Sequence, residues 1–179
     1  ARRSAQTALY HITHGLLRLM APILSFTAEE IWEVFGRPSP SVFCEEFYDV
    51  PSTQVPEGFD AKWVALRELR ARVVKELENL RTAGEIGSSL QGAVDLTLTP
   101  ELHAQAESLG EDLKFLLIVS DVSITQGAEE KISPRKAVGE KCERCWHYVD
   151  DVGQHADHPT VCGRCVSNLA GHDENRQIA

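Results

Sequence analysis

Four cysteines in two pairs constrain this chain more than any other feature: Cys142-Glu-Arg-Cys145 and Cys162-Gly-Arg-Cys165, with sixteen residues between the pairs. A two-residue gap lets both thiolates of a pair face one ion from a tight turn. Two such turns supply four soft ligands in tetrahedral geometry, the closed arrangement of a structural zinc. A loop this short cannot build its own core, so a bound ion has to replace one. Four thiolates leave no open position, which argues against a catalytic zinc. Disulfides, a redox pair or iron are the alternatives that the same residues allow. His147, His155 and His158 lie inside the loop; beside four cysteines they read as surface residues or as supports for the ligands. Cys44 stands alone among aromatic residues and reads as a buried thiol. An odd cysteine total fits a thiol-keeping, cytoplasmic compartment better than a secreted disulfide framework.

Four thiolates on one Zn²⁺ carry a formal charge of about −2, so the site favours cationic neighbours. Lys141, Arg144 and Arg164 sit within or beside the two turns. Charge compensation is the plain reading of all three. A sharper one notes that Arg144 and Trp146 flank Cys145, a guanidinium and an indole being groups that grip phosphate and stack on an unpaired base. Trp146 as the cap of a small core is the alternative. The whole chain has 18 Lys plus Arg against 27 Asp plus Glu, a net charge of −9. That excludes a histone-like or polybasic binder, but not a local basic patch.

The rest of the chain reads as mainly α with a small α+β segment. Leu9, Ile12, Leu16, Leu19 and Met20 recur at helical spacing over residues 2–20, and Pro22 marks a break. The apolar row on that helix is expected to lie open, where further helices would pack. Thr27 to Glu30 matches a capping box, with Ile31, Trp32 and Phe35 as the buried face and Gly36 as the stop. Glu29 and Glu30 read as caps. Prolines 38, 40, 51 and 56 make residues 37–59 an extended connection. A long helix is expected over 61–83, its buried face made by Trp63, Leu66, Leu69, Val73, Leu77 and Leu80. Arg67, Arg70 and four other cations on its remaining faces outnumber three glutamates, leaving a local +3. Val94, Leu96 and Leu98 alternate as a half-buried strand, Pro100 opens a helix, and Val122–Thr125 form a second strand. Residues 127–140 read as a mixed-charge connector. The domains expected are 1–59, 60–126, the connector, a zinc module at 141–170 and a tail at 171–179. No span of apolar residues is long enough for a membrane, and no P-loop or nucleophile elbow occurs. His11 and His14 lack the partners of a metal site. The chain begins at Ala1 inside a helical pattern, and is read as a piece of a longer protein.

Several stretches are familiar together. Residues 1–9, Met20-Ala-Pro-Ile-Leu-Ser-Phe-Thr-Ala-Glu-Glu-Ile-Trp32, Ile86-Gly-Ser-Ser-Leu90, Gly139-Glu-Lys-Cys-Glu-Arg-Cys-Trp-His147 and Val161-Cys-Gly-Arg-Cys-Val166 resemble, in order, the C-terminal end of bacterial isoleucyl-tRNA synthetases. The resemblance implies part of a helical-bundle anticodon-binding domain followed by a small zinc knuckle with four cysteine ligands. It implies one structural Zn²⁺ on Cys142, Cys145, Cys162 and Cys165, and tRNA(Ile) as partner through its anticodon stem-loop. Lys141, Arg144, Trp146, Arg164, Arg67 and Arg70 are the candidate tRNA contacts. ATP would be used by a catalytic domain outside this chain, in a cytoplasmic and monomeric full-length ligase that also edits valine. The ATP-site signatures are absent here, so this piece is expected to be inactive alone. Two other classes share the knuckle: the duplex-DNA grip of formamidopyrimidine-type glycosylases, and a zinc-dependent protein-interaction module.

Overall fold

Pro22 separates the first two helices as expected: α1 spans Arg2–Met20 and α2 spans Ser25–Val34. The structure, a computed structural model, describes residues 2–35 and 39–172. The chain forms two compact units, Ala1–Val55 and Pro56–Ala179.

In the first unit, α1 leaves Leu9, Ile12, Leu16 and Leu19 at least half exposed, the open apolar row anticipated from the sequence. Its inward face carries His14, Leu17, Arg18 and Ala21. Trp32, fully buried, centres a small core with Leu17, Ala21, Ala28 and Val42. Arg18 is buried yet well partnered. It pairs with Glu45, donates to His14 Nδ1 at 2.8 Å and lies 4.9 Å from the Trp32 ring and 5.0 Å from Tyr48. A guanidinium survives burial only with such partners.

Because Arg18 donates to Nδ1, that nitrogen must keep its lone pair. Burial first, then the Arg18 charge and His11, hold His14 below the ordinary 6.5, while Glu45 pulls the other way. Between that lowered pKa and 6.5, the unfolded chain binds more protons than the folded one. The first unit is therefore expected to lose stability as pH falls below 6.5, and His14→Gln to flatten that dependence. Urea melts across pH 5–7.5, in a Trp63→Phe, Trp146→Phe background so that Trp32 is the one reporting indole, would test this. An identical slope in both proteins would contradict it.

Three local expectations fail in this unit. The capping box is not formed: α2 starts earlier, with Leu24 as N-cap and Ser25 Oγ donating to the Ala21 carbonyl. Glu29 is no cap either, since it accepts from Ser41 Oγ and from the Val42 N–H, holding the 3₁₀ turn Val42–Cys44. Cys44 is exposed rather than buried, because that turn directs Val42 inward instead. Phe35 packs against the core from its rim and Ile31 is 38% exposed, so Trp32 and Ala28 make α2's buried face. Gly36 lies outside the described residues.

The second unit opens with α3, Phe59–Thr82, which buries Leu66, Leu69, Val73 and Leu77 and ends before Gly84 at φ 77°. Each fully buried side chain of this kind contributes about 1.5–3 kcal/mol. Strand β1, Gly92–Leu98, directs Val94, Leu96 and Leu98 into the same core. Helix α4, Pro100–Glu107, has its proline in the first turn, and with α5, Leu113–Leu117, carries the chain to β2, Asp121–Gln126, which pairs parallel to β1. The connector expected at 127–140 contains a strand. β3, Lys131–Lys136, pairs antiparallel to β1, with Pro134 opposite Val94 and Ile132 packed on the core. The sheet order β2-β1-β3 makes β3 an edge, where a proline's missing N–H is tolerated. Among the described residues no helix is long and apolar enough to cross a membrane.

Candidate metal centre and nucleic-acid interface

Beyond the sheet, β4 (Glu140–Lys141) and β5 (Tyr148–Val149) form a two-stranded ladder whose turn holds the first cysteine pair. Gly139 allows the ladder to close. Its φ is 94°, and a Cβ there would lie 2.6 Å from the Val149 carbonyl oxygen. The second pair sits at the start of α6, Gly163–Leu169. The four Sγ atoms all lie within 4.8 Å of one another, and two pairs, Cys142–Cys165 and Cys145–Cys162, are 3.7 Å apart. Tetrahedral Zn–S bonds of about 2.3 Å place sulfurs ~3.8 Å apart, so the donor set and its spacing fit zinc. All four are free thiols, which removes the disulfide alternative from this arrangement.

Burial opposes ionisation at Cys142, Cys162 and Cys165. At Cys142, backbone N–H groups of Cys145, Cys162 and Arg144 outweigh it and bring the thiol to about 6. At Cys162 burial prevails and pushes the thiol up to about 12. Cys165 is also raised by burial, against a hydrogen bond from the Arg144 side chain. Four buried thiolates are tolerable together only around a cation. None of the three loop histidines joins the cluster. His147 Nδ1 instead meets the Cys145 carbonyl at 3.1 Å, and burial lowers its pKa.

The proposed interface residues fall into three places. Trp146 is 60% exposed, so it is no core cap. Its backbone is left-handed at φ 67°, its N–H donates to the Cys142 carbonyl and its indole N–H to the Glu143 carbonyl. The Lys141 ammonium lies 5.7 Å from its ring centre. The indole is thus fixed with its one polar group satisfied, leaving an aromatic surface to solvent. Arg144 is exposed in the same turn and also serves Cys165, which supports its compensating role. Arg164 is tied down elsewhere, 4.8 Å from the Phe115 ring. Arg67 is exposed and Arg70 half-buried on α3, where Arg72 and Arg81 are paired with Glu130 and Glu78.

Sequence reasoning missed how the metal turn docks on the sheet. Tyr148 N–H donates to Ser120 Oγ at 2.7 Å, Gln91 Nε2 donates to the Tyr148 hydroxyl at 2.9 Å, and the His147 ring sits edge-on to Phe115. The hydrogen-bonded partners stand 28 and 57 residues apart, and no local pattern marks them.

Comparison with known proteins bears on both units. The family described as the anticodon-binding domain of tRNA ligase matches residues 1–97, and the zinc finger found in FPG and IleRS matches residues 139–168. The isoleucine–tRNA ligase 1 of Burkholderia mallei is 50% identical over the whole of this chain. The isoleucine–tRNA ligases of Burkholderia ambifaria and Burkholderia orbicola are 52% and 51% identical over the same extent. In each case the chain spans 19% of the relative's length.

Proposed function

The chain belongs to the family of anticodon-binding domains of tRNA ligases, and from that premise we propose that it is the tRNA-binding, zinc-binding C-terminal part of an isoleucyl-tRNA synthetase. The observation that carries the reading is a fixed, solvent-facing indole beside a four-cysteine centre, in a chain whose first 97 residues match that family. The same match removes the support for a glycosylase, since the knuckle alone is common to both.

In this reading Cys142, Cys145, Cys162 and Cys165 hold one Zn²⁺, which supplies structure and no reactive position. Residues 1–59 belong to the helical bundle, and 60–126, lengthened by β3, to the α+β segment. The knuckle at 141–170 meets the anticodon stem-loop of tRNA(Ile) in the cytoplasm. Trp146 stacks on an unpaired anticodon-loop base, with Lys141 and Arg144 on phosphate. Arg67 and Arg70 extend the cationic surface along α3, and Arg164 acts by holding the knuckle. A net charge of −9 repels a polyanion within about a Debye length, where salt screens least, so binding needs these concentrated cations. Ligation with ATP and editing of valine belong to the monomeric full-length enzyme, and this piece alone activates no amino acid.

Trp146→Ala is expected to weaken binding of the cognate stem-loop by about 1–3 kcal/mol with little change in salt dependence. Arg144→Ala should instead flatten the salt slope by about one phosphate's share. Titrations of zinc-loaded protein at several salt concentrations separate the two. A Trp146→Ala protein that keeps its metal and binds normally would overturn the stacking role.

A further inference from the structure

We propose that Ser120 is a positioning residue, its buried hydroxyl fixing the metal turn on the sheet and thereby setting where Trp146 is presented. The inference rests on the tRNA-binding reading above. Ser120 is 3% exposed, between α5 and β2. Its Oγ donates to the Leu90 carbonyl at 2.6 Å and accepts the Tyr148 N–H at 2.7 Å, while its own N–H donates to the Gly92 carbonyl at 2.9 Å. One side chain therefore joins the turn before β1, the approach to β2 and strand β5. Both roles of the hydroxyl are filled by protein, so its removal leaves a half-buried N–H and a half-buried carbonyl short of a partner.

The backbone leading to Ser120 is also unusual. Ile118 ends α5 at φ 58° and ψ 49°, a left-handed conformation that is costly for a β-branched residue. Such a conformation persists only where its surroundings impose it, and here fully buried Val119 and Ser120 follow directly. From Ser120 the path to the indole is short. Tyr148 pairs with Lys141 across the β4–β5 ladder, and Lys141 lies over Trp146. The Gln91–Tyr148 bond and the His147–Phe115 contact add two further attachments, so the turn cannot pivot about one bond. A platform held in place before binding loses less freedom on binding.

The test uses the full zinc-loaded chain with Ser120→Ala, Trp146→Ala and the double variant. Zinc content should stay at that of the parent. The Tyr148 amide should exchange with solvent at least about tenfold faster in Ser120→Ala, while the Cys162 amide, bonded to Cys142 Sγ, stays protected. Trp146→Ala should weaken binding of a tRNA(Ile) anticodon stem-loop severalfold in the parent, but less than about twofold in the Ser120→Ala background. If Ser120→Ala fails to fold, Tyr148→Phe combined with Gln91→Ala, which keeps both bonds of the Ser120 hydroxyl, should retain the slow Tyr148 exchange and the full Trp146→Ala effect; loss of both would show that the Gln91 bond, not Ser120, holds the turn. Unchanged Tyr148 exchange, or equal Trp146→Ala effects in both backgrounds, would overturn the proposal. If the parent binds no stem-loop, the functional reading falls, and the exchange result still decides whether Ser120 holds the turn.

Discussion

Replacing Cys145 by serine is expected to reduce bound zinc from one equivalent per chain to nearly none, and to melt the knuckle. A hydroxyl is harder and far less acidic than a thiol, so the fourth ligand is lost outright. Zinc sites of this kind contribute about 10–16 kcal/mol of apparent binding energy that is also folding energy. The knuckle has little else: its buried cluster consists of Cys142, Cys162 and Cys165, with Cys145, Val149, Val152 and Val161 around them. The larger core of the second unit includes none of these residues. Elemental analysis of reduced protein should therefore show metal loss while the cooperative melt of the sheet survives. A serine variant that retains a full equivalent of zinc would contradict the ligand assignment.

Trp32→Ala is expected to unfold the first unit, costing about 3–5 kcal/mol. Among the described residues its ring is fully buried in a core of five buried residues, and its indole N–H donates to the Ser39 carbonyl at 3.2 Å. It also carries the Arg18 guanidinium against its face, so truncation exposes a buried charge as well as a cavity. Zinc content should not change, because the metal ligands lie in the other unit. Proteolysis combined with metal analysis would show the first unit cut and the second intact. Equal protease resistance of parent and variant would refute this.

What the sequence disclosed follows from the range of the interactions involved. The cysteine pairs are legible because the ligand spacing is local, three residues apart within each turn. Helix α3 and strand β1 are legible because each buries one face at its own period, with Leu66, Leu69, Val73 and Leu77 in one and Val94, Leu96 and Leu98 in the other. β3 was hidden because Ser133 and Pro134 argue against a strand until its position at a sheet edge is known. The inward face of α1 was hidden for a different reason. His14 and Arg18 are polar in composition, and the partners that make the burial of Arg18 tolerable, Glu45, Trp32 and Tyr48, are distant in sequence. Thr27 and Glu30 carried the letters of a cap, but the turn after Pro22 starts the helix three residues sooner, with Leu24 as N-cap. Ser120, Gln91 and Tyr148 left no trace, since a docking contact between distant segments has no period.

Gly139 has a consequence for how sequences of this kind can drift. Lys141 and Arg144 beside the metal turn stand in solvent, where a side chain can change by small steps. Position 139 offers no such path, because even alanine would press a methyl group into the backbone of Val149 and Asp150, 2.6 Å from the carbonyl oxygen of one and 2.8 Å from the nitrogen of the other. Backbone cannot step aside as the end of a long side chain can, and the positive φ adds its own penalty. The exposed decoration of the knuckle can therefore drift by small steps. The point at which the chain enters it is closed to mutation from either direction, by sterics and by conformation.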